Sequence, residues 1–144
     1  MKKCFRFVLR FLVVTGFFLI SQMAVDSAYA ETYTFTFKNI NHPKISSVFA
    51  ELRSVSGGGY APMGNTTRQD LNILPGQSYK ITVEYNPARN VLFPPPSFAS
   101  IWIGCAEKYW NDGRRPTKNF FLTTTKSMTI DVSLSGNTVI LNGY

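Results

Sequence analysis

A thiol and an imidazole are the side chains in this sequence best suited to covalent chemistry, and both are scarce. His42 is the only histidine, and the two cysteines, Cys4 and Cys105, lie far apart in the chain. A Cys105 thiol activated by His42 would be a nucleophile if the two met within hydrogen-bonding reach. Each residue also has a reading that needs no partner. Cys105 can point inward from a strand as a small apolar residue, and His42, before Pro43, can be an ordinary loop residue. Structural zinc normally takes four Cys or His ligands. The carboxylates lack the Asp/Asn/Gly spacing of a calcium loop. Ser56-Gly57-Gly58-Gly59-Tyr60 is glycine-rich, but no phosphate-binding lysine and no helix follow it. These residues give no reason to expect a catalytic set, a cofactor or a metal.

The densest collection of unusual side chains is WIGCAEKYWNDGRRPTK, residues 102–118. Both tryptophans, Cys105, Tyr109 and the adjacent pair Arg114-Arg115 fall within it. Asn111-Asp112-Gly113 is a strong turn signal, so the stretch reads as strand, hairpin-like loop, strand. Exposed aromatics beside arginine are enriched at protein interfaces. Tyr109, Trp110, Arg114 and Arg115 are therefore the candidate partner-binding residues, with Tyr60 of the glycine-rich run as a second location. The alternative is that Trp110 folds back and covers the open end of the core.

The elements that must position these residues are strands. Tyr33, Phe35 and Phe37 alternate with threonines. Tyr79, Ile81, Val83 and Tyr85 alternate with Lys80, Thr82 and Glu84, and Ile130, Val132 and Leu134 alternate with polar residues. Weaker strands are expected over Ile45–Arg53, Arg68–Leu74, Phe98–Ala106, Lys118–Thr124 and Thr138–Asn142. Pro75-Gly76 and Gly136-Asn137 are expected at turns. Ser54–Asn65 and Asn86–Ser97 read as irregular loops, the second stiffened by Pro94-Pro95-Pro96. About eight short strands at this spacing predict an all-β, antiparallel two-sheet β-sandwich, with a closed β-barrel as the alternative.

Residues 1–30 are read apart from this fold. Lys2, Lys3, Arg6 and Arg10 precede the apolar run Phe11–Ile20, and Ala28 and Ala30 end the segment. This is the pattern of a signal peptide of bacterial type, cleaved before Glu31. The apolar run is only about half of the roughly 20 residues a membrane span requires; an uncleaved anchor is the competing reading. Residues 31–144 then form a single domain, periplasmic or secreted, with no membrane span after cleavage. Loss of the leader lowers the net charge from +7 to +4, because four basic residues and Asp26 leave with it. The remaining charges are scattered rather than gathered into a nucleic-acid footprint. Cys105 would be left without an intramolecular disulfide partner, so the aromatic-rich core must hold the domain.

From Leu74 to Leu134 the strand pattern resembles the small β-sandwich lipoproteins that include type III secretion pilotins. The similar parts are ITVEY, a proline-containing loop, FASIWI, a glycine turn and FFLTTTKSMTIDVSL. This chain has no cysteine after the cleavage point, so no lipid anchor is expected. Ser56-Gly57-x-x-Tyr60 also resembles a loop motif of bacterial lysozyme inhibitors, although the rest of that family's pattern is not evident. Three functions stay open on these residues. The first is a non-enzymatic exported protein that binds a protein partner in the envelope or outside the cell. The second is a small inhibitor or ligand- or glycan-binding module acting through its loops. The third is an enzyme using Cys105 or His42. Partner identity and oligomeric state are not legible.

Overall fold

An alternating segment becomes a stable strand only when a second layer covers its apolar face. A computed structural model of the chain describes residues 30–56, 59–87, 90, 92, 94–122 and 124–144. The expected signal segment, except Ala30, lies outside the described residues. The strands are β1 (Glu31–Asn39), β2 (Ser47–Ser56), β3 (Gly59–Arg68), β4 (Ser78–Tyr85), β5 (Phe98–Gly104), β6 (Thr117–Phe121), β7 (Ser127–Ser135) and β8 (Thr138–Gly143). They form two four-stranded sheets, ordered β4-β1-β7-β8 and β3-β2-β5-β6. The fold is a β-sandwich, not a closed barrel.

Side-chain alternation decides what lies between the sheets. Phe35, Phe37, Ile81, Val83, Ile130 and Val132 come from one sheet; Val48, Ala50, Leu52, Ile101 and Ile103 come from the other, all buried. Burying each large side chain of this kind is worth about 1.5–3 kcal/mol. The threonines of β1 and the lysine, threonine and glutamate of β4 stay on the outer face.

Three expectations require correction. The sandwich is not wholly antiparallel, because β1 runs parallel to β7 while pairing antiparallel with β4. Alternation looks the same in either pairing, and a parallel neighbour this distant in the chain leaves no turn signal. Ser54–Asn65 is not an irregular loop either. Its described residues, Ser54–Ser56 and Gly59–Asn65, belong to β2 and β3, which pair antiparallel with a register shift at Leu52/Arg53. Pro62 is tolerated because β3 is an edge strand. Conversely, the strand expected at Arg68–Leu74 reduces to a single bridge between Ile45 and Ile73.

The two sides of the sandwich differ. On one, β3 and β4 come close: Thr66 Oγ1 donates to the Thr82 carbonyl at 2.6 Å. A Cβ on Gly64 would lie 2.5 Å from the Glu84 carbonyl oxygen, so only glycine permits this approach. On the other side, β6 and β8 meet at one end, where the Phe120 ring packs on Gly143. Towards the loop before β6 they separate, and Lys118 Nζ spans the gap to the Leu141 carbonyl at 2.8 Å.

Candidate functional site

Residues 105–117 close the end of the sandwich at this open side. A single 3-10 turn, Glu107–Tyr109, follows β5. Asn111 and Arg114 then exchange two backbone hydrogen bonds of 3.1 and 2.9 Å. Between them Asp112 and Gly113 take positive φ values of 49° and 70°, the signature of a type I′ turn. This tight reversal leaves Arg114 and Arg115 exposed beside each other at the start of the return strand.

Trp110 is half-buried, with its Nε1 donating to the Cys105 carbonyl at 3.2 Å. The Arg115 guanidinium sits 4.9 Å from the Trp102 ring and 5.8 Å from the Trp110 ring. Trp102 in turn stacks on Phe49 of β2, with centroids 5.0 Å apart and planes 15° from parallel. The pair is aligned because Phe49 and Trp102 face each other across the β2–β5 ladder on the sheet's outer face. Each cation–π contact is worth about 0.5–1 kcal/mol at an exposed site. The row Phe49–Trp102–Arg115–Trp110 therefore holds one guanidinium in place.

Tyr109 turns the other way. It is buried, and its ring meets the edge of His42 at a centroid distance of 4.8 Å, with Lys108 Nζ 4.9 Å from the same ring. His42 is fully buried in the β1–β2 connection. Asn39 positions it: its Nδ2 donates to the His42 and Ile73 carbonyls, and its Oδ1 accepts from the His42 N–H, each at 2.8 Å. The Lys44 N–H donates to His42 Nδ1 at 3.2 Å, which places the imidazole proton on Nε2. Nε2 itself has no hydrogen-bond partner. Burial pulls the His42 pKa below its ordinary range, with the Lys44 contact opposing weakly.

Cys105 lies just beyond β5 as a free, half-buried thiol rather than on the strand's inward face. Burial raises its pKa. No hydrogen bond joins Cys105 to His42, and burial drives both away from the thiolate and imidazolium forms of a nucleophilic pair. Among the described residues, no three His, Cys, Asp or Glu side chains gather as they would around a metal ion.

The loop and the separated strands together enclose a groove of about 900 Å³. Arg114, Arg115 and Lys118 line one wall, and Val139, Ile140 and Leu141 of β8 line the other, with Tyr109 and Asp112 at the end. The ion pairs among the described residues, Arg53–Glu51 and Lys126–Glu31, both lie elsewhere. Three cations thus face one carboxylate. The structure brings Tyr109, Trp110, Arg114 and Arg115 into one loop, although Tyr109 is mainly a packing residue. Tyr60 lies on β3 opposite Val55, and its side chain lies outside the described residues. Lys118 and the β8 wall were missed from the sequence. A lysine opposite core residue Ile101 was the available signal for Lys118, whereas nothing local links β6 to β8.

No family model and no curated protein matches the chain. Among solved structures it is similar to the crystal structure of a 9R-lipoxygenase from Cyanothece PCC8801, with 10% identity and a TM-score of 0.31. The similarity covers 69% of this chain and 16% of that one, and at that score it carries no argument. Among the described residues no helix is long and apolar enough to cross a membrane.

Proposed function

We propose that the protein is an exported, non-enzymatic binding module that engages a protein partner through the open β6–β8 side and the loop over it. The observation that carries this reading is the cationic groove itself. Its walls come from a rigid sandwich, and Arg115 is held over two indole rings rather than left free in solution. The Arg115 side chain therefore loses less conformational freedom on binding, which favours affinity. The opposed pKa shifts of Cys105 and His42 support a non-catalytic reading. Export rests on the leader pattern, and the resemblance to secretion-pilotin-type proteins points towards an envelope partner.

Charge reversal tests the assignment. Arg114→Glu with Arg115→Glu should keep the protein folded but lower the melting temperature by several degrees, because Arg115 loses two cation–π contacts of about 0.5–1 kcal/mol each. Capture of the partner from the host's envelope extract should fall about tenfold or more. Undiminished capture by the folded variant would remove this face from the proposal.

A further inference from the structure

The backbone lining the groove is a free strand edge. Tyr144 and Thr129 exchange both backbone hydrogen bonds, at 3.0 and 2.9 Å. In an antiparallel pair, residues bonded in this way recur at every second position. Asn142, Ile140 and Thr138 therefore bond β7, while Val139, Leu141 and Gly143 turn their N–H and C=O groups away from it, towards β6. Gly143 is covered by Phe120, and the Leu141 carbonyl takes the Lys118 ammonium. The Val139 N–H and C=O and the Leu141 N–H remain along the groove. Ile140, 38% exposed, adds an apolar contact beside them.

The charges choose the occupant. Lys118 faces inward from an edge strand, a placement that discourages pairing with arbitrary strands. A second copy of β8 would bring Thr-Val-Ile-Leu-Asn-Gly, with no carboxylate to meet the arginines and the lysine. A strand bearing acidic side chains would release Lys118 from Leu141, pair with it and free that carbonyl for the ladder. Resting on the partner-binding reading above, we propose that the open side accepts an extended acidic peptide segment. The segment adds to β8 as a further strand, with its carboxylates on Arg114, Arg115 and Lys118. Main-chain bonds supply affinity in such strand addition and alternate side chains supply specificity.

The test uses the purified protein and a fluorescent peptide of about nine residues alternating Glu with Val, so that one face is acidic. This peptide should bind, and its Lys/Val counterpart should not. Lys118→Glu should weaken binding about tenfold or more. Val139→Pro removes a donor that faces the groove and not β7; it should abolish binding while circular dichroism shows the protein still folded, with a melting temperature lowered by the lost core contact of Val139. The Val139 and Leu141 amides should also become protected from hydrogen exchange in the unaltered protein when peptide is bound, a readout independent of any variant. Absence of binding by the Glu/Val peptide would overturn the proposal. So would binding that persists in Val139→Pro, leaves both amides unprotected, or is matched by a single-stranded oligonucleotide of equal charge. If the peptide fails while capture of the envelope partner still depends on Arg114 and Arg115, strand addition falls and the partner-binding reading stands. Capture indifferent to those arginines would remove that reading.

Discussion

His42 stores a pH dependence in the core. In the unfolded chain its imidazole takes a proton near its ordinary pKa of about 6.5, whereas burial holds the folded value lower. Between those values the unfolded state binds more protons, so stability falls as pH falls. Above about 6.5 the effect vanishes, and below the folded pKa it is complete. His42 is the only histidine. Denaturant midpoints measured from pH 7.5 down towards about 5 should therefore decline, and His42→Asn should flatten the curve although it lowers the plateau. An equally steep decline in the variant would assign the effect elsewhere. Trp110 poses a different question. It is neither fully exposed nor a core plug, because its ring is half-buried and its Nε1 bonds a carbonyl. Trp110→Ala should cost about 2 kcal/mol in denaturant melts, from one hydrogen bond and partial burial. A loss of about 4 kcal/mol would mean that the indole closes the core, as large-to-small core changes do.

Between elements, the open side depends on how two edge strands are kept from pairing. Lys118 lies opposite Ile101 on a face otherwise turned to the core, and its ammonium reaches across to β8. Lys118→Val should leave monomer stability equal or slightly higher, since the new side chain suits its apolar neighbours. It should also promote concentration-dependent association, visible by light scattering, because the edge loses its guard. A variant that stays monomeric at high concentration would show that other features protect the edge. Local pattern was enough to read β1, β4 and β7, whose alternation continues for their full length. It failed at 59–68 because Pro62 hid an edge strand. Tyr109, Trp110, Arg114 and Arg115 were legible as a group from composition and the Asn-Asp-Gly turn. The opposite wall, Val139–Leu141, was not, since neighbourhood between two sheets is set by topology and no local residue announces it.

For the molecule as a whole, one side of the sandwich is sealed and the other is left ajar. Gly64 lets β3 and β4 approach closely, while β6 and β8 separate under a loop bearing two arginines. The outer face of the β4-β1-β7-β8 sheet is rich in threonine and serine, with Thr34, Thr36, Lys80, Ser127 and Thr129 around a shallow hollow. The proposed binding function places the partner at the cationic side and not on this hydroxyl-rich face or the β2–β3 hairpin. Hydrogen-exchange mass spectrometry of the protein, with and without its captured partner, tests that placement most directly. Protection should appear in 107–118 and 138–143, with little change in 32–38 and 52–62. Protection confined to the hairpin or the hydroxyl-rich face, with the arginine loop and β8 unaltered, would contradict it.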